Sequence, residues 1–454
     1  MQSKPKTIFI SSFHPAIFRN ILATDVLKVL LKRNDIRIVI FTLKHKKSYF
    51  ESLLNSPNIS IEGIPFDPPS KRFSTLVMKR VARLSLDTLT ARVEKLAKWK
   101  KEKKFFYYFF ASILGKIMSR SSVLRKLFRF LDYRITKTDR YGLFFEKYNP
   151  SLVLVTDIQN ERDVELLQSG KDNNVSSYGM VRNWDNLTSH GIIRLLPDKL
   201  IVQSEEVKKQ ALKYNDLPEK DVFVTGIPHY DKYFRGPKIS KKEFLRVSNL
   251  NTSKKTIFYS VIGDAYLPNN NLDPYILDIL SGVDAQVFVR FSPTVPVKQL
   301  ENIDSYTNMF FDRPGVSFNR DGFFMDRELS EEDDTNLMTA LYYSDLIVSG
   351  PSTISLDAIF FDKPVILIDF YKESRGEWEK ILKYRCDHLD FIIKNRAVKV
   401  AKNEKELIEF INLYLNNPQE DSIGRMTVRG AYCGPRDGKS GNRLANLLLK
   451  GLES

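Results

Sequence analysis

Residues 345–368 read DLIVSGPSTISLDAIFFDKPVILI. Two apolar runs, LIVS and VILI, flank a segment whose apolar residues recur at helical spacing. The first run meets that helix through Gly350-Pro351-Ser352-Thr353. Strand, tight turn, helix and strand in so short a span predict a parallel βαβ unit, because parallel neighbours need a crossover of about this length.

The turn also suggests chemistry. Ligands of open α/β sheets collect at the carboxyl ends of strands. Gly350 opens the turn there. The first N–H groups of the helix, with the hydroxyls of Ser352 and Thr353, would seat a diphosphate. Asp357, one turn on, could meet a ribose or sugar hydroxyl. A serine before a helix also serves simply as an N-cap, and the sequence leaves both readings open.

Working outward, the same rhythm fills the second half of the chain: KTIFYSVIGD (255–264), AQVFVRFSP (285–293) and the quoted unit. A first series precedes it. It comprises KTIFISS (6–12), IRIVIFTL (36–43), ISIEGIPF (59–66), SLVLVTD (151–157), VSSYGMV (175–181), KLIVQS (199–204) and VFVTG (222–226). Two α/β domains are predicted: 1–235, interrupted by a helical insertion at 70–140, and 236–430. The segment 431–454 is predicted to pack back across the boundary as a helix. A chain of 454 residues is long enough for two cores.

Two cysteines, Cys386 and Cys433, exclude a disulfide framework, and no Cys/His spacing suggests zinc. The acidic run SEEDD (330–334) reads as charge at a helix start rather than a metal site, so no metal is expected. The N-terminus lacks the pattern of a secretion signal, and no apolar run is long enough to span a bilayer. Residues 95–140 carry fourteen Lys or Arg against three acids, +11 of the chain's net +15. Because these charges surround FFYYFFASIL (105–114), the pattern points to an anionic membrane surface rather than nucleic acid. The other reading is a core helix with a solvated basic face.

Three further stretches hold candidate site residues. In VFVRFSPT (287–294), Arg290 and Ser292 stand at a strand end, where Arg290 could grip a phosphate. In GPRDGKSGNR (434–443), Asp437-Gly438 makes a turn, Ser440 starts the last helix and Arg443 lies on its first turn. In RNWDNLTSHG (182–191), Asp185 is the first candidate for a general base, with His190 and Asp157 behind it. Asp185 could instead close an Asx-turn on its own backbone. His14, after the first strand, stands at another carboxyl strand end.

Together these pieces resemble a GT-B glycosyltransferase, with two Rossmann-like domains whose parallel sheets face across a cleft. VTGIPHYD (224–231), the quoted 345–368 stretch and DGKSGNR (437–443) resemble motifs of a bacterial surface-polymer subgroup. That subgroup holds capsule and lipopolysaccharide glycosyltransferases and CDP-glycerol glycerophosphotransferases, and UDP-N-acetylglucosamine 2-epimerases share a related layout. The resemblance implies that Ser352 and Thr353 hold donor phosphates, that Asp357 meets the ribose or sugar, and that Asp437, Ser440 and Arg443 close the donor site. It also implies two departures. The glycerophosphotransferases carry a catalytic histidine where Asp185 stands, and their strand-end R-P-H-P has a histidine where Ser292 stands.

The expected activity is metal-independent transfer of a sugar from a nucleotide-sugar donor to a glycan or lipid-linked glycan acceptor, with no cofactor. The expected place is the cytoplasmic face of the inner membrane. Polyol-phosphate transfer from a CDP-glycerol-type donor, and a non-catalytic assembly protein, are the alternatives.

Overall fold

The computed structural model describes residues 5–66, 72–264, 271–293, 300, 303–318 and 327–453. The chain divides into two compact units, Met1–Asp231 with Gly434–Ser454, and Lys232–Cys433. The first unit therefore ends four residues before the predicted boundary and includes the C-terminal helix. The predicted start of the insertion, residue 70, lies outside the described residues.

The sheet of unit 1 has strands β1 (Lys6–Ser11), β2 (Ile36–Leu43), β3 (Ile59–Ile64), β4 (Leu152–Val155), β5 (Ser176–Met180), β6 (Lys199–Val202) and β7 (Val222–Val224). They are all parallel, in the order β3-β2-β1-β4-β5-β6-β7. The order reverses between β1 and β4, so a crevice opens at the carboxyl ends of that pair. The central strands β1, β2 and β4 are buried along almost their whole length, as a sheet covered on both faces requires, while the edge strands β3 and β7 are only partly buried.

Leu22, Val26, Val29 and Leu30 fall at helical spacing and predict one helix over 17–32. The structure instead has a five-residue π-helix, Phe18–Leu22, followed by a helix at Asp25–Leu30. The break lies at Thr24, whose hydroxyl caps the new helix through the Val26 N–H. Val26, Leu27 and Leu30 of that helix share one core with Leu444, Ala445, Leu448 and Leu452 of the C-terminal helix Ser440–Glu453.

The insertion is four helices, Phe73–Leu84, Leu89–Glu102, Phe105–Arg120 and Ser122–Ile135, around a small core of their own. Buried arginines join them to the α/β body. Arg194 pairs with Asp132 at 2.8 Å and with Glu161 at 2.6 Å, and Arg125 and Arg129 both pair with Asp216. Lys95 is also drawn inward, where it donates to the Leu84 and Leu86 carbonyls. Three of the fourteen basic residues of 95–140 are thus spent on packing. The aromatic run is not a buried core helix: Phe106 is 75% and Phe110 65% exposed. Among the described residues no helix is long and apolar enough to cross a membrane.

Unit 2 has a parallel sheet of β8 (Thr256–Ser260), β9 (Gln286–Arg290), β10 (Met309–Asp312), β13 (Leu346–Ser349), β14 (Val365–Ile368) and β15 (Lys399–Ala401). Its order is β10-β9-β8-β13-β14-β15, which reverses between β8 and β13. A two-stranded ribbon, β11 (Val316–Ser317) with β12 (Arg327–Glu328), stands apart from it. The quoted sequence stretch supplies β13, the Ile354–Phe360 helix and β14.

Candidate functional site

In unit 2 the reversal point is framed by two loops. One is Gly350–Thr353 after β13. The other is Val261–Asp264 after β8, pinned by the buried carboxylate of Asp273, which accepts from the Ile262 N–H at 2.8 Å and the Gly263 N–H at 2.9 Å. The loops touch: a Cβ on Gly350 would stand 2.9 Å from Ile262 Cγ1. Glycine at 350 is therefore demanded by close approach.

Thr353 occupies the N-cap position of the following helix, yet its side chain makes no capping bond and is exposed. Ser352 Oγ accepts from the Ile354 N–H at 3.4 Å, a long bond. The capping role weighed for these hydroxyls is at most partly filled. Asp357 is buried in the helix.

Arg290 differs from its sequence reading. Its Nη1 pairs with the Asp312 carboxylate, and its Nη2 donates to the Asp333 carbonyl at 2.8 Å, so both are spent within the protein. Ser292 lies two residues further, half-buried. The SEEDD run behaves as charge at a helix start: Ser330 and Asp333 form a capping box.

Asp437, Gly438, Ser440 and Arg443 lie in unit 1. Asp231, the last residue of VTGIPHYD, accepts from the Ser440 and Gly441 N–H groups at 2.9 and 2.7 Å. Arg443 Nε donates to the Thr225 carbonyl at 2.8 Å, and its Nη1 pairs with Asp437 at 2.7 Å. Gly226 adopts φ +87°, and a Cβ there would collide with Ser440 Oγ at 2.4 Å. Two motifs far apart in sequence thus form one clasp holding the C-terminal helix. Gly438 makes the turn before it with φ +68°.

The carboxyl ends of the unit 1 strands hold the base candidates. Asp185 heads the short Asn186–Ser189 helix, and only its carbonyl is engaged, by the Thr188 and Ser189 hydroxyls. Its half-buried carboxylate accepts no hydrogen bond from any described residue, so the Asx-turn is not formed. His190 follows that helix and is exposed. Asp157, by contrast, is buried and accepts from Arg182 Nε at 2.7 Å.

Sequence reasoning missed the groups beside Asp157. Ser11, Thr156 and Asp163 link β1 to β4: Thr156 Oγ1 donates to the Ser11 carbonyl at 2.9 Å, and Asp163 accepts from the Ser11 hydroxyl and from the N–H groups of Thr156 and Asp157. Burial, reinforced by the charge of Asp157, pushes the Asp163 carboxyl up to about 7. His14 goes the other way. Burial, then the Arg182 charge, lowers it to about 3. Among the described residues no group of three or more His, Cys, Asp or Glu has the geometry of a metal site.

The sequence model of the CDP-Glycerol:Poly(glycerophosphate) glycerophosphotransferase family matches residues 181–450. No curated protein matches the sequence. Solved structures share the fold at low identity. The UDP-GlcNAc 2-epimerase of Neisseria meningitidis, bound to UDP-GlcNAc, is 14% identical, with 98% of this chain and 100% of that chain covered at a TM-score of 0.56. The UDP-GlcNAc 2-epimerase of Methanocaldococcus jannaschii is 13% identical over 98% and 99%, at 0.52. The glycotransferase of kitacinnamycin is 11% identical over 99% and 100%, also at 0.52. With more than half of its length matched, this GT-B chain belongs to the CDP-Glycerol:Poly(glycerophosphate) glycerophosphotransferase family, and it is a sugar or polyol-phosphate transferase.

Proposed function

We propose that the protein moves a glycosyl group from a nucleotide-sugar donor to a hydroxyl of a growing surface glycan of the capsule or lipopolysaccharide kind, without a metal. Unit 2 takes the donor at its β8/β13 reversal, where the N–H groups and hydroxyls of 352–354 receive the diphosphate. Unit 1 supplies the base. The observation that carries this reading is the Asp185 carboxylate, which accepts no hydrogen bond from any described residue and stands where the resemblance puts the glycerophosphotransferases' histidine. Asp185 takes the acceptor hydroxyl proton as that oxygen bonds the anomeric carbon. The carbon–oxygen bond to the diphosphate breaks, and its electron pair leaves with the diphosphate.

A second reading, transfer of a polyol phosphate from a CDP-linked donor, is favoured by the family match itself. Assaying turnover of CDP-glycerol beside UDP- and CMP-sugars separates the two. Turnover of sugars alone upholds glycosyl transfer, and turnover of CDP-glycerol alone replaces it. Asp185→Asn should abolish turnover and leave nucleotide affinity intact. EDTA should leave the rate unchanged.

The exposed Phe105, Phe106, Phe109 and Phe110, with Lys103, Lys104 and Lys116 on or beside the same helix, support docking on an anionic bilayer. This reading places the enzyme at the cytoplasmic membrane face, where a lipid-linked acceptor is presented.

A further inference from the structure

An open cavity of about 360 Å³ lies between the insertion and the α/β body of unit 1. Small-molecule sites commonly enclose about 300–1,000 Å³. Its position sets it apart from the transfer chemistry. Lys171 lies in the last turn of the Glu161–Asp172 helix, Leu196 precedes β6, and Asp216 precedes β7. The body's share of the lining therefore stands at the amino ends of β5, β6 and β7, away from the carboxyl ends that hold Asp157 and Asp185.

Three cations line the cavity against one carboxylate. Arg129 is spent within the protein: Nη1 on Asp216 at 3.1 Å, Nε on the Ile193 carbonyl at 2.9 Å, and Nη2 on the Asn215 carbonyl at 3.1 Å. Asp216 is filled as well, because Arg125 Nε donates to it at 2.7 Å. Two arginines on one carboxylate leave that wall positive. Lys126 and Lys171 differ, since neither side chain pairs with any described residue. The neighbouring acid, Asp172, is taken by the Tyr133 hydroxyl and by Lys137 at 3.0 Å. Two ammonium groups from separate elements thus line one concavity without an anion of their own. As point charges on flexible stems they suit a phosphate.

The rest of the lining is apolar, with Leu195, Leu196, Phe130 and the Tyr133 ring. Lys126, Arg129, Phe130 and Tyr133 fall at i, i+3, i+4 and i+7 on the Ser122–Ile135 helix and make its cavity side. Val123, Leu127, Phe130 and Leu131 fall at i, i+4, i+7 and i+8 and make the adjoining side, each between 43% and 71% exposed. Phe130 stands where the two sides meet. A basic cavity that shares an edge with an exposed apolar stripe matches a molecule with a charged head joined to apolar chains. A free anion would use the lysines and leave the stripe bare.

We propose that the cavity is a headgroup seat for an anionic membrane phospholipid. Lys126 and Lys171 hold its phosphate, and its acyl chains leave past Phe130 along the Val123–Leu131 stripe. The bilayer as source of this ligand rests on the docking reading above, which the seat sharpens from attraction to charge in general into recognition of a phosphate-bearing lipid.

The test uses the full chain, with dihexanoyl phosphatidylglycerol below its micelle concentration as probe and inorganic phosphate as comparison, by calorimetry. The short-chain lipid should bind at one site, and inorganic phosphate should bind at least tenfold more weakly. Lys126→Gln with Lys171→Gln should weaken the lipid about tenfold or more, the scale of lost charge-assisted bonds. Neither lysine holds a described partner, so this variant keeps its fold. Phe130→Ser should weaken the lipid several-fold and leave phosphate unchanged. Lys101→Gln with Lys116→Gln, which removes equal charge from exposed positions of the insertion, should leave the lipid unchanged. No binding to wild type, phosphate bound as tightly as the lipid, or lipid binding that ignores the Lys126 and Lys171 changes overturns the seat.

Co-sedimentation separates the seat from general docking. Phosphatidylcholine vesicles carrying phosphatidylglycerol are compared with vesicles carrying oleate at equal surface charge. Wild type should prefer the phospholipid. The Lys126, Lys171 variant should lose that preference, and the Lys101, Lys116 variant should keep it while binding both more weakly. Equal binding of wild type to both kinds overturns the seat and leaves electrostatic docking standing. Short-chain lipid binding that follows Lys126 and Lys171, without sedimentation on either vesicle, overturns the docking reading and leaves the seat standing.

Discussion

Replacing Asp231 with alanine tests the clasp between the two motifs. The Asp231 carboxylate is buried, and both of its oxygens accept helix-start N–H groups, at 2.9 Å from Ser440 and 2.7 Å from Gly441. Losing a capping side chain costs about 0.5–2 kcal/mol. Here two bonds to a charged acceptor are lost together, each worth about 1.5–3 kcal/mol net, while water entering the gap recovers part. We expect a loss of about 2–4 kcal/mol in the local stability of the Ser440–Glu453 helix. That corresponds to roughly 30- to 1,000-fold faster amide exchange along the helix, at about 1.4 kcal/mol per tenfold. Hydrogen exchange is the right assay, because a two-unit chain need not unfold in one step. Asp231→Asn keeps one acceptor and should fall between. Exchange of residues 444–452 within threefold of wild type in Asp231→Ala would refute the clasp.

Gly350→Ala should weaken nucleotide binding without unfolding unit 2, since its Cβ presses on Ile262 at 2.9 Å and pushes the two loops of the reversal point apart; unchanged affinity by calorimetry would contradict this. The pH dependence of unit 1 stability reports two opposed groups. His14, lowered from 6.5 to about 3 by burial first and then by Arg182, Lys46 and Arg19 against Asp157, contributes stability that is present above pH 6.5 and lost as pH falls toward 3. Asp163, raised from 3.8 to about 7, contributes stability that is present below pH 3.8 and lost as pH rises through 7. Between pH 4 and 6.5 these slopes, each up to about 1.4 kcal/mol per pH unit, oppose one another. Asp163→Asn should therefore make urea midpoints fall on acidification, and His14→Gln should make them fall on alkalinisation; matching flat profiles in both variants would contradict the assignment. Phe106→Ser with Phe110→Ser should reduce co-sedimentation with anionic vesicles, and wild-type binding should fall with salt; equal binding to neutral vesicles would remove the electrostatic part.

The βαβ alternation was readable because buried parallel strands write themselves as short apolar runs, and β1, β2, β4, β8, β13 and β14 all lie within the stretches read as strands. The clasp was not, because Asp231 and Ser440 are 209 residues apart and each has an ordinary local reading, as a helix-start acid and a helix-start serine. Arg290 misled for a similar reason: its partner Asp312 stands on the neighbouring strand β10, and strand pairing is invisible before the sheet is assembled. In 95–140, charge counting could not show that Lys95, Arg125 and Arg129 turn inward, because their acceptors are carbonyls and an aspartate beyond the local helix. Arg182 did leave a signal. It directly follows a strand read as 175–181, at the level where ligands bind. Thr24 before Asp25 was likewise a visible cap inside what was read as one helix.

The proposed transfer requires a nucleotide-linked donor seated in unit 2 at the turn after β13. Titrating the purified protein calorimetrically with UDP, CDP, CMP and GDP, beside the Ser352→Ala, Thr353→Ala variant, addresses it directly. Saturable binding of at least one nucleotide is expected, weakened at least tenfold in the variant as the two proposed phosphate donors are lost. Nucleotide binding of equal strength in wild type and variant, or none by either, would contradict it.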